Sequence, residues 1–444
     1  MLNWLTRVVV AVVIVLSSVV TSTPGVAPSE AAAPTHPAPS RPAPMASRGA
    51  TSKSVANPVP AQVPPRIHTV ASAPIHTVAS ALIHTVASAP TTLSGPSAFV
   101  TRNGTRLFLG GQAYRFAGVT ANELATYWAV NWGCGSQVND LDAFFSSLHP
   151  GSMVSFSAMQ AMAFNNKPLS KPANVIDFTG IDRVVRAAEK YNQKLSVGLS
   201  NQAGTCDDGH WHDQAWYDGG YRNVYNDDAR NLSRLSYWDY IHLIVPRYKD
   251  STAVAIWGPV GEPEASNCLP GYVGGNCYGV SHLVCPAGAT STLRKFFDTV
   301  GAEIKKMDPH HLIASGTLSR GQCGLSGGGY ATVAASPYID VMSFHDYGAD
   351  ATPLPADMAA AMAGVHAVGK AFAVDEAGIS AGSAGVTPAA RAAEFMAKMD
   401  AQFAAGSSGF SCWNWVPAIS APNSFEIGPA DPLMGLLLTY RPPG

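Results

Sequence analysis

Eight short apolar runs, spaced along about three hundred residues and separated by helix-period segments, constrain this chain more than any other feature. They are 116–120, 153–159, 194–200, 253–260, 312–318, 339–345, 371–375 and 409–415. These runs are apolar throughout instead of alternating, which suits parallel strands covered on their outer face by helices. Helical periodicity falls between them, at 181–191, 237–248, 293–307, 357–368 and 389–403. Eight strand-helix units predict an α/β protein of the (β/α)8 TIM-barrel type. An open doubly wound sheet is the rival, yet no glycine-rich nucleotide turn follows an early strand. Ahead of the first run, Phe99–Leu109 carries Asn103-Gly104 and reads as an N-terminal β-hairpin.

Composition shifts sharply before that hairpin. Residues 1–33 hold Arg7, an unbroken apolar run from Val8 to Leu16, and then small residues, the pattern of a cleaved secretory signal more than of an uncleaved anchor. Residues 34–96 are dominated by Ala, Pro, Ser, Thr and Val and lack the apolar content to offset backbone ordering, so they read as a disordered linker. Within the linker Ile-His-Thr-Val-Ala-Ser-Ala recurs at Ile67, Ile75 and Ile83. Weak metal binding by His68, His76 and His84 is one reading, and a low-complexity duplication is the simpler one. The globular barrel is expected over 97–444.

With 28 Lys plus Arg against 30 Asp plus Glu, the net charge of −2 excludes a strongly basic nucleic-acid face, and a neutral partner fits better. Seven cysteines accord with an exported protein whose long loops are stapled by disulfides. The number is odd, and Cys412, within an apolar run, is the expected free buried thiol. No metal-ligand spacing accompanies the cysteines, and no cofactor is implied.

Two glutamates end strand-like runs, Glu262 after 253–261 and Glu376 after 370–375. In one barrel both carboxylates reach the C-terminal rim, where facing carboxylates support glycosidic bond cleavage. His345 and Tyr347 end the sixth run, and Trp413 and Trp415 the eighth, at the same rim.

On these residues the region from Phe99 to Tyr440 resembles glycoside hydrolase family 5 (clan A), near its secreted β-mannanase and cellulase-like members. The resemblance is carried by Phe116-Ala117-Gly118-Val119, Ser200-Asn201-Gln202, Trp257 through Glu264, Gly321-Gln322-Cys323-Gly324, Ser343 through Tyr347, Asp375-Glu376-Ala377-Gly378 and Trp413-Asn414-Trp415. It implies Glu262 as general acid/base and Glu376 as nucleophile of a retaining endo-acting enzyme on a neutral β-1,4-linked polysaccharide, working as a secreted monomer without stable membrane insertion. His345, Tyr347, Trp413, Trp415, Asn201 and Trp257 are the expected substrate-binding residues, with Trp415 beside the scissile bond and Tyr347 donating to an ionised Glu376. Glu262 is expected to hold its proton through a raised pKa. Trp128, Trp132, Trp211 and Trp216 lie on long loops and either extend the cleft or pack those loops.

Three positions depart from the family pattern. Gly261 stands where an Asn is usual, Ser155 where an Arg orients the nucleophile, and Ser157 where Trp is frequent. A glycan-binding barrel with little hydrolysis is therefore the alternative reading.

Overall fold

The computed structural model describes residues 98–443, apart from 166–174, 226–234, 272–276, 278–281, 349–351, 383–385 and 421–423. The signal, the linker and the histidine repeats lie outside the described residues.

The chain enters through β1 (Val100–Asn103), β2 (Arg106–Leu109) and β3 (Gln112–Tyr114), an antiparallel three-stranded sheet. Asn103 pairs with Arg106, so Gly104 and Thr105 form the turn, and Gly104 adopts the positive φ of 58° that such a turn requires. Eight parallel strands follow: β4 (Phe116–Thr120), β5 (Met153–Ser157), β6 (Lys194–Gly198), β7 (Val254–Gly258), β10 (Leu312–Ile313), β11 (Val341–Asp346), β12 (Ala371–Gly378) and β13 (Gly409–Trp413). Between β7 and β10 a two-residue ladder joins β8 (Asn267–Cys268) to β9 (Leu283–Val284). Neighbouring strands run β10-β7-β6-β5-β4-β13-β12-β11, and a parallel bridge from Ala314 to Val341 joins the two ends. The fold is a (β/α)8 barrel, with all eight expected strands present.

Hydrophobic burial explains the layering. Val100 and Leu107 of the hairpin cluster with Phe116, Met153, Leu312 and Ala371, so the hairpin closes the N-terminal end of the barrel. On the outside, the helix Tyr237–Tyr248 buries Tyr237, Tyr240, Ile241, Ile244, Val245 and Tyr248, one face of a 3.6-residue period. Each such side chain contributes about 1.5–3 kcal/mol when fully buried. Ser236 caps this helix by accepting from Asp239 N at 3.0 Å.

Three disulfides staple the C-terminal loops: Cys134–Cys206, Cys268–Cys277 and Cys285–Cys323. Cys412 is a buried free thiol, as the sequence leads one to expect.

Strand pairing leaves no space at Gly118, where an added Cβ would lie 1.7 Å from the Met153 carbonyl oxygen on the adjacent strand. Gly118→Ala forces β4 and β5 apart and is expected to destabilise the barrel by roughly 2–4 kcal/mol. Thermal unfolding of the variant checks this; a melting temperature equal to the parent's would contradict the register.

Candidate active site

Backbone irregularity at the C-terminal rim aims the reactive side chains. The pairing of β11 with β12 steps from Ser343↔Ala373 to His345↔Glu376, and that of β12 with β13 from Val374↔Phe410 to Ala377↔Cys412. On both sides β12 carries one residue more than its neighbour, a bulge. In a regular strand Asp375 and Glu376 would face opposite sides. Here both are half-buried and both reach His345: Asp375 Oδ1 lies 3.6 Å from Nε2, and Glu376 Oε1 3.6 Å from Nδ1.

Glu262 is aimed differently. It follows β7 with φ 57°, the left-handed region that costs a non-glycine residue about 1 kcal/mol or more. Its backbone is held on both sides, with its N donating to Gly316 O at 2.7 Å and its carbonyl accepting from Gln322 Nε2 at 2.9 Å. The preceding Gly261 is bridged to Asn201, its N donating to Ser200 O at 2.9 Å and its carbonyl accepting from Gln202 N at 3.0 Å. Gln202 Oε1 also accepts from Glu264 N at 2.9 Å. Gln202 and Gln322 are therefore supports that the reading of reactive residue types missed, although both lie in segments that carried the resemblance.

His345 joins the two glutamates. Its Nδ1 lies 3.0 Å from Glu262 Oε1 and 3.6 Å from Glu376 Oε1, and one oxygen of each glutamate and that nitrogen all fall within 4.8 Å of one another. Tyr347 donates its hydroxyl to Glu376 Oε1.

These contacts govern the charges. Burial opposes protonation of the His345 ring, but Glu376, Glu262 and Asp375 outweigh it and push the ring up to about 10, so it is a cation at neutral pH. Burial first, then the charges of Glu262 and Asp375, push Glu376 up to about 7 against the opposing effects of His345 and Tyr347. The nucleophile candidate is thus a weaker acid than a free glutamate, the direction expected of a nucleophile that has Ser155 in place of an Arg partner.

The remaining expected contacts divide. Trp413 ends β13, two residues after Ser411, whose hydroxyl meets Thr120 inside the barrel, so strand alternation turns the partly exposed Trp413 indole to the barrel mouth. Its backbone pairs with Gly378, two residues from Glu376. Trp415 is instead buried and packs on Phe144 with ring centroids 4.3 Å apart. Of the two indoles, Trp413 is the partly exposed one near Glu376, and Trp415 is packed away.

Trp257 is also corrected. It is fully buried and donates to Asp308 Oδ2 at 2.8 Å, which makes it core instead of cleft. The Asn201 amide is engaged in its own loop, donating to Thr205 O at 2.7 Å and accepting from Ala203 N at 3.1 Å, next to the backbone bridge to Gly261. Trp211 and Trp216 are buried and bonded to Ser266 O and Asp208, which makes them loop packing. Trp128 is partly exposed and donates to Asp177. The Trp132 side chain lies outside the described residues.

No protein-family profile matches the chain. Among known proteins, a probable mannan endo-1,4-β-mannosidase C of Aspergillus terreus is 27% identical over 285 residues, 57% of this chain and 65% of that protein. Mannan endo-1,4-β-mannosidase F of Aspergillus clavatus is 24% identical over 295 residues, 59% of each. The chain thus spans less than two thirds of these relatives. An endo-1,4-β-mannanase from Rhizomucor miehei superposes with a TM-score of 0.55 at 19% identity, covering 77% of this chain and 98% of that one. A family 5 mannosidase of the same organism superposes at 0.50 with 12% identity, over 77% and 96%. The chain is thus similar in sequence to mannan endo-1,4-β-mannosidases and in fold to a family 5 mannosidase.

Because the Tyr347 hydroxyl stabilises the ionised form of Glu376, Tyr347→Phe should raise the Glu376 titration midpoint from about 7, by about one unit. Carbon-13 carboxyl titration checks the sign. An unchanged or lowered midpoint would contradict it.

Proposed function

We propose that the protein is a secreted retaining endo-β-glycosidase that hydrolyses a β-1,4-linked polysaccharide, mannan by preference, through double displacement. The observation that carries this reading is the approach of Glu262 and Glu376 to within 4.8 Å at the barrel rim. Retaining glycosidases hold their carboxyl groups about 5–5.5 Å apart, whereas inverting enzymes need about 6.5–9.5 Å to admit water.

In the first step Glu376 attacks the anomeric carbon while Glu262 passes its proton to the departing glycosidic oxygen. A covalent glycosyl ester on Glu376 results. Glu262, now ionised, then takes a proton from water, the resulting hydroxide attacks the same carbon, and Glu376 leaves as carboxylate with net retention. His345, charged and touching both glutamates, offsets the repulsion between them when Glu376 is ionised. Trp413 offers a flat apolar face to the C–H side of the sugar held at the site. Mannan is preferred over glucan because the relatives in sequence carry mannosidase names. Export follows from the signal-like residues 1–33 and agrees with the three disulfides.

The chain should release reducing ends from β-mannan, with product anomers retaining the β configuration in proton NMR. Glu262→Gln and Glu376→Gln should each lower that release about a thousandfold or more. Binding of mannan without release by the parent would favour a glycan-binding barrel, for which Gly261 and Ser155 in place of the usual Asn and Arg already argue. Inverted products would overturn double displacement.

A further inference from the structure

We propose that Asp375 is a positioning residue for this reaction: it anchors the far nitrogen of His345, so that the imidazole stays charged and aimed at both glutamates. The inference rests on the catalytic reading of Glu262 and Glu376, and it concerns a carboxylate to which neither glycosyl transfer step assigns a role.

Geometry carries it. The β12 bulge turns Asp375 to the side of the strand that bears Glu376, where an unbroken strand would turn it away. Asp375 Oδ2 accepts from Ser343 Oγ at 2.5 Å, which fixes the carboxylate, and Ser343 Oγ itself accepts from Gly316 N at 3.0 Å. The other oxygen, Oδ1, is buried, lacks a hydrogen-bond partner among the described residues, and lies 3.6 Å from His345 Nε2. A small ring rotation makes that contact a charge-assisted hydrogen bond. The ring then has carboxylates at both nitrogens: Asp375 at Nε2, and Glu262 and Glu376 at Nδ1.

Among the described residues, the charges that act on the ring are those of Glu376, Glu262 and Asp375. Glu262 comes from the loop after β7, and Asp375 and Glu376 from β12. Asp346, adjacent in sequence, is turned away into a buried ion pair with Lys398. Glu264 is a neighbour of Glu262, whose charge adds to burial in raising the Glu264 pKa. Burial disfavours a charged imidazole, so the ring needs its carboxylates to remain a cation. Ser155 stands where the family places the arginine that orients the nucleophile, and the cation beside Glu376 is His345.

The experiment follows His345 directly. In the full chain with 13C-labelled histidine, the His345 signal, assigned by its loss in His345→Gln, is titrated for the parent and for Asp375→Asn. Asp375→Asn keeps the side chain's shape and removes its charge, and the His345 midpoint should fall by about 1–3 units. Mannan turnover should fall about tenfold or more in kcat with little change in KM, as for other partners that orient an active imidazole. Should Asp375→Asn not fold, Ser343→Ala, which releases Asp375 Oδ2, should lower the midpoint in the same direction by a smaller amount. A midpoint within about 0.3 units of the parent's in the folded variant overturns the proposal. The titration reads Asp375 even if mannan is not the substrate, so the failure of the catalytic reading and the failure of this inference are separate results.

Discussion

One imidazole wedged among three carboxylates is the interaction on which the rim of this barrel depends. Glu262 and Glu376 approach within 4.8 Å, and like charges so close raise one another's pKa and oppose folding around them. His345 changes that balance by placing a cation 3.0 Å from one and 3.6 Å from the other. Without it, the repulsion between the two glutamates would lose its nearest counter-charge among the described residues. The reaction needs one acid and one base at once.

The surrounding structure serves that arrangement at a local cost. Glu262 is held in the left-handed region by Gly316 O and Gln322 Nε2, and Gln322 precedes the Cys285–Cys323 disulfide that ties its loop down. Glu376 is aimed by a break in strand pairing. Such departures from regular geometry persist only where the rest of the molecule over-determines them. Here the over-determination comes from below: eight apolar strands, an outer ring of helices and a hairpin closing the far end. Stability thus resides at one end of the barrel and chemistry at the other.

Much of this was legible in the sequence, and the exceptions have physical causes. Parallel strands buried on both faces read as unbroken apolar runs, so 116–120, 194–200 and 409–415 stood out, and the helix Tyr237–Tyr248 was visible from its period alone. Glu262, Glu376, His345 and Tyr347 were recognisable because charged or polar residues at the ends of apolar strands are conspicuous. Orientation was not legible. Trp257, Trp413 and Trp415 look alike as letters, and only strand register and packing separate a core indole from one at the barrel mouth. Asp375 was hidden for a sharper reason, since alternation assigns it to the face opposite Glu376, and no residue in 371–378 signals the bulge that cancels the rule.

The chemistry of Glu376 can be observed by trapping. An activated 2-deoxy-2-fluoro-mannoside slows hydrolysis of the glycosyl-enzyme more than its formation, and mass spectrometry of the digested protein locates the adduct. The double-displacement reading requires one fluoroglycosyl group on the peptide that carries Glu376. An adduct on another residue, or none under conditions where mannan is cleaved, would contradict it.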